Sequence, residues 1–430
     1  MQVDLLIHNI GELVTIAGAN EAPRRGAGLR ELGIIHNGAV AVSGQEIVAV
    51  GPTDVVHSIV EVGAITQVID GTGKTVIPGF VDPHTHLVFA GTREHEYTLR
   101  LAGATYEEIL SAGGGINYTT RLTRAGSEEE LFDIAWEHLN TMLGHGTTTV
   151  EAKSGYGLEV ESEVKLLRVI RRLDEAHPID LVPTFLGAHL VPSEYRDRPD
   201  KYVRVIIEEM LPRVANEGLA KYCDVWCDEG IFTVEQSRRM LERARSLGMR
   251  LRVHANQLAS GGGTRLAVGM GADSVDHLER LPEDAIELLA KSDTIATLLP
   301  GVAFTLGGPY AEARTLIDRG TAVALATDFN PGSCFTESMP IIIALACSQL
   351  RMTPAEAIVA STINAAWSLN RADRIGSLEP GKQADLVLFD MPNHAHLPYH
   401  FGVNLVHAVV KAGRIVVEDG KMASSLRMGR

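Results

Sequence analysis

The stretch Ile77-Pro78-Gly79-Phe80-Val81-Asp82-Pro83-His84-Thr85-His86 decides how this chain folds. An apolar run enters it, a Pro-Gly pair interrupts it, and it ends in two histidines with one residue between them. Side chains on an extended strand repeat every two residues, so His84 and His86 project from one face. Two imidazoles at a strand end form half of a metal site, since neutral imidazole suits Zn, Fe and Ni. The plainer reading is that two histidines cap a strand and bond to solvent, because short motifs often match by chance. Later strands shift that balance by bringing further ligand-type residues to their ends.

Outward from this stretch, apolar strand candidates alternate with amphipathic helical segments, the pattern of βα units around a parallel sheet. Eight such strands end near His86, Glu151, His189, Asp228, His254, His277, Leu299 and Asp328. Helical patterns between them include Glu161–Ala176, Val234–Leu247, Pro282–Lys291 and Ala311–Arg319. Eight strands with intervening helices predict an α/β fold, a (β/α)8 TIM-like barrel whose chemistry sits at the C-terminal strand ends. Residues 2–70 read instead as short strands with Gly and Pro turns, and so do Ala384–Asp390 and Val406–Val417. Neither end has enough strand for a sheet of its own. Residues 1–70 and 385–430 are therefore expected to meet in one small β-sandwich domain, with 71–384 forming the barrel.

A chain of 430 residues has room for that arrangement. No run approaches the length of a membrane span, and the N-terminus lacks a basic region followed by an apolar core. A net charge of −15 argues against nucleic acid and anionic membranes as partners. Cys223, Cys227, Cys334 and Cys347 are too few for a disulfide framework, which suits a reducing cytoplasm.

Leu251-Arg252-Val253-His254 puts His254 at the fifth strand's end, Ser274-Val275-Asp276-His277 puts His277 at the sixth, and Ala322–Asp328 ends in a carboxylate. A lone strand-end histidine is more often structural. Three His-bearing strand ends and an aspartate around one barrel mouth point to a metal site.

These residues resemble the amidohydrolase superfamily: Pro83-His84-Thr85-His86, then His254, His277 and Asp328. Within it, the chain is similar to the branch that hydrolyses 4-imidazolone-5-propanoate to N-formimidoyl-L-glutamate, a step of L-histidine degradation. That narrower match rests on Leu87–Arg93, Glu151–Gly157, Thr184–His189, Ala326–Ser333 and His400–Asn404. The resemblance implies one Zn or Fe ion per chain, held by His84, His86, His254 and Asp328. It also implies His277 beside the carbonyl oxygen and Asp328 moving the proton. Two-metal relatives carry a lysine or glutamate at the fourth strand's end, where this chain has Asp228 and Glu229 and its only nearby lysine, Lys221, lies at the wrong end.

For a small anionic substrate, the family match implies Arg93, Tyr156 and His189 as cations and donors, with Gln257, Asn330, Gly332 and Ser333 lining the pocket. An arginine fork suits a carboxylate because it bonds both oxygens. Some relatives have a proton-transferring glutamate where Gln257 stands; an amide cannot fill that role, so base duty falls on Asp328 and His277. Relatives suggest a homodimer. Another mononuclear amidohydrolase, such as a cyclic amidine deaminase, is the nearest alternative, and a non-catalytic metal-binding barrel is a further one. His394-Ala395-His396 is read as surface or interdomain, and Gly113-Gly114-Gly115 as no phosphate loop.

Overall fold

The computed structural model describes residues 1–18, 21–105, 108–109 and 113–423. Eight parallel strands form the barrel. They are β6 (Phe80–Thr85), β7 (Thr147–Lys153), β8 (Asp180–Ala188) and β9 (Tyr222–Cys227), followed by β10 (Arg250–Ala255), β11 (Ser274–His277), β12 (Ile295–Leu298) and β13 (Val323–Leu325). They pair in sequence order. The ring closes where the segment after β13 meets β6: Asp328 N–H donates to His84 O at 3.1 Å and His86 N–H to Phe329 O at 2.9 Å. Burial on both faces explains the near-continuous apolar strands. The helices around the ring follow the amphipathic patterns, with Val160–Ala176, Val234–Ser246, Glu283–Ala290 and Ala313–Asp318 where they were expected.

A second sheet joins the two chain ends. From the N-terminal side come β1 (Gln2–Val14), β2 (Ile34–Ser43), β3 (Glu46–Pro52), β4 (Glu61–Asp70) and β5 (Thr75–Pro78). From the C-terminal side come β14 (Leu386–Phe389), β15 (Val406–Lys411), β16 (Arg414–Glu418) and β17 (Lys421–Met422). The junction is β14 against β5, antiparallel, with Leu386 opposite Pro78. Alternation divides β14 between two cores: Leu386 and Leu388 pack with Leu5, Ile7, Val40 and Val410, while Val387 and Phe389 face the barrel's apolar mass. β5 thus lies in this sheet, past the expected division at residue 70.

Gly79 is the step from one sheet to the other. Its N–H donates to Asp385 O, and a Cβ there would sit 2.3 Å from Thr148 Oγ1. Only glycine lets the backbone pass that close. The Pro-Gly pair therefore ends β5 and aims β6 into the barrel, carrying His84 and His86 to its mouth.

Candidate metal centre and substrate pocket

The strand-end residues converge. His84 and His86 Nε2 each lie 3.4 Å from Asp328 Oδ1. Ligand atoms of His84, His86 and His254 fall within 4.8 Å of one another, as do those of His84, His277 and Asp328. His84 Nδ1 donates to Asp276 Oδ2 at 2.7 Å, which fixes its tautomer and turns a lone pair on Nε2 toward the centre. His254 Nδ1 faces the Asp224 carboxylate, 3.0 Å from Oδ2. His84 Nε2, His254 Nε2 and Asp328 Oδ1 are buried without hydrogen-bond partners. Buried polar atoms are rarely left so. Three inward lone pairs from two imidazoles and a carboxylate, with His86 beside them, are satisfied together by a cation, so these residues fit a metal ion.

Burial holds the His254 pKa down at about 4 and lowers that of His86, keeping both neutral as ligands require. Burial would raise the Asp328 carboxyl, but the facing imidazoles of His84 and His86 outweigh it and hold it well below the usual carboxylate range. Burial also opposes charge on His277, yet the Glu279 carboxylate, 3.5 Å from its Nδ1, turns the net shift upward. Four residues at this mouth adopt positive φ: Asn256, His277, Leu278 and Asp328. Such backbone costs about 1–3 kcal/mol each and persists where surroundings demand it.

Beneath the mouth lies a layer of charge that sequence reasoning missed. Lys153 Nζ bonds Glu151 Oε1 at 3.0 Å and Asp224 Oδ2 at 2.8 Å, all fully buried. Arg252 reaches Pro83 O at 2.7 Å and Asp276 Oδ2 at 3.3 Å. Asp224 and Asp276, the partners of the two histidines, are thus themselves held by cations. A signal existed: Arg252 stands two residues before His254, so alternation sends it inward too.

A cavity of about 480 Å³ opens above the centre. Its wall includes Arg93, Tyr156, His189, Gln257, Asn330, Gly332 and Ser333, together with His86, His254, His277 and Asp328. The structure adds detail to several of these. Arg93 is no surface residue: its side chain is 9% exposed and its Nε and Nη2 both bond Glu96 Oε2, at 2.9 and 2.8 Å. His189 Nδ1 lies 2.9 Å from Gly155 O and must carry the proton there, while burial holds its pKa well below the ordinary value. It is therefore a neutral acceptor at Nε2, not a cation for a carboxylate. Asn330 turns its amide oxygen to the Gly332 and Ser333 N–H groups, shaping its own loop. Asp228 accepts N–H bonds from Glu229, Gln257, Leu258 and Ala259, so its carboxylate organises a loop. His394 bonds Glu12 on β1, tying its segment to the terminal sheet.

The Amidohydrolase family pattern matches residues 75–416. The chain is 51% identical over 419 residues to an imidazolonepropionase of Geobacillus kaustophilus, covering 97% of this chain and 99% of that protein. It is 52% identical, at the same coverage, to an imidazolonepropionase of another Geobacillus strain, WCH70. The chain belongs to the imidazolonepropionase family of amidohydrolases. An adenosine deaminase from Xanthomonas campestris with bound zinc has the same fold, with a TM-score of 0.72 over 100% of this chain and 98% of that one at 19% identity. Family membership accounts for the inward lone pairs at the barrel mouth, since a metal ion suits this donor set.

Proposed function

We propose that the chain hydrolyses 4-imidazolone-5-propanoate to N-formimidoyl-L-glutamate, opening a cyclic amide during L-histidine degradation. Membership of the imidazolonepropionase family supports this, and one observation carries it to the site. A single cavity joins a metal-ligand set at its base to a guanidinium on its wall. His84, His86, His254 and Asp328 would hold one Zn or Fe ion. Such an ion, when bound, polarises a carbonyl and makes water a nucleophile at neutral pH.

The remaining work falls to side chains. Arg93 and Tyr156 bind the propanoate, and the Tyr156 hydroxyl stays protonated because burial raises its pKa. His189 Nε2 accepts a ring N–H. Asp328 is ionised, so it takes the proton of the attacking water and delivers it to the ring nitrogen as the C–N bond breaks. His277 donates to the carbonyl oxygen as charge develops there, a role suited to its raised pKa. Because Asp228 is engaged in its loop, one ion per chain is expected. The protein is further proposed to act as a homodimer in the cytoplasm; none of its described helices is long and apolar enough to cross a membrane.

Product analysis tests this reading. Incubation with imidazolone propanoate should consume its ultraviolet absorbance and yield formimidoylglutamate without immediate ammonia. Ammonia released with the first turnover would instead identify a deaminase.

A further inference from the structure

We propose that Arg100 is a second cationic arm of the pocket, selecting, with Arg93, ligands whose tail ends in one carboxylate. This rests on the ring-opening function proposed above.

Arg93 precedes the helix Glu94–Leu101 and Arg100 lies near its end, seven residues on, so two helical turns bring both to one face. Glu96 stands between them on that face. Its Oε2 takes both bonds from Arg93, and its Oε1 accepts the Gly115 N–H at 2.8 Å. Glu96 therefore pairs with Arg93 through one oxygen and holds the Gly115 N–H with the other. Arg100 has no carboxylate partner among the described residues. Its Nη1 donates to Gly332 O at 3.4 Å, and its guanidinium lies 5.7 Å from the Tyr97 ring. Arg93 Nη1 points at the same place, since a Cβ on Gly332 would lie 2.3 Å from it. Both guanidinium groups thus meet at the loop that follows Asp328.

The charges of the cavity decide what that pair is for. Among its described lining residues the carboxylates are Glu96 and Asp328. Glu96 is matched by Arg93, and Asp328 faces the histidines of the centre. Among the described residues, Arg100 is thus a half-buried guanidinium with no carboxylate bonded to it, on a wall that includes Ile109, Ile116 and Leu306. Burial and then the charge of Arg93 depress its pKa by more than the nearby Glu96 carboxylate raises it. One carboxylate bound beside both arginines restores neutrality; a neutral tail leaves the charge exposed to apolar wall, and a dianion overshoots it. Arg100 touches the ligand's tail, not the reacting ring, so it determines specificity.

Calorimetric titration of the metal-loaded full chain with 3-(imidazol-4-yl)propanoate and with its methyl ester tests this. Arg100→Met should weaken acid binding by about ten- to a hundredfold, the worth of a charge-assisted bond, and ester binding by less than about threefold. Arg100→Lys should recover part of the loss, and it carries the test if the Met variant does not fold. Equal losses for acid and ester, or none for either, would overturn the proposal. If wild type prefers the acid through Arg100 but leaves imidazolone propanoate intact, the ring-opening function fails and the role of Arg100 stands. If wild type opens the ring yet binds acid and ester alike, Arg100 has no such role.

Discussion

Glycine at 332 is a matter of space. A methyl group there meets Arg93 Nη1, and Glu96 holds the other two guanidinium nitrogens, so the arginine must leave its place to make room. Gly332→Ala should raise KM about tenfold with little change in Tm, because the displaced group anchors substrate and is not core. Steady-state kinetics and a melting curve check both halves. Asp276 acts at one remove, by holding Nδ1 of His84. Asp276→Asn should weaken metal binding by about 10–100-fold, as loss of such partners does elsewhere. Competition against a chelator measures it without reference to activity. Lys153 is a sharper case, since removing it takes the cation from between the buried Glu151 and Asp224 carboxylates. Breaking a buried network in this way costs about 3–5 kcal/mol, so Lys153→Met should unfold at visibly lower denaturant concentration.

At the scale of elements, what was legible in the sequence was whatever alternation and strand ends can express. Two-residue spacing placed His84 and His86 on one face, and eight apolar segments placed their ends at one mouth. Partnership across the barrel was not legible. Lys153 and Asp224 lie 71 residues apart, and Arg252 reaches Pro83 across 169. Periodicity says that such residues point inward but not which of them meet. For the same reason the tautomer of His189 and the engagement of Asp228 emerged only with the loops in place. One junction between elements responds to pH. His177 ends the helix Val160–Ala176, accepts the Ile179 N–H at Nδ1 and contacts Asn140 through Nε2, 3.3 Å away on the helix Glu128–Gly144. Burial lowers its pKa from 6.5 to about 3. Between those values the unfolded chain binds a proton that the folded chain refuses, so stability falls as pH drops through that window. The loss is on the order of a few kcal/mol when complete. His177→Gln should flatten this part of the profile in denaturant titrations from pH 7 to pH 4.

At the scale of the whole molecule, the chain ends form a sheet that launches the first barrel strand through Gly79. We propose that residues 1–70 and 385–430 fold as one unit with it. Truncation at residue 384 would remove β14, uncover the edge of β5 and take Val387 and Phe389 out of the core shared with the barrel. The shortened protein should be insoluble; a soluble, active one contradicts the unit. The net charge of −15 makes the local cations matter more, because the long-range field opposes an anionic substrate. The central claim is that a single ion, held by His84, His86, His254 and Asp328, suffices for ring opening. Its most direct measurement is a titration of metal-free protein with Zn or Fe while imidazolone propanoate consumption is followed. The account predicts activity rising in proportion to added metal and levelling at one equivalent per chain, with none regained by His254→Ala. A break at two equivalents, or full turnover before any metal is added, would contradict it.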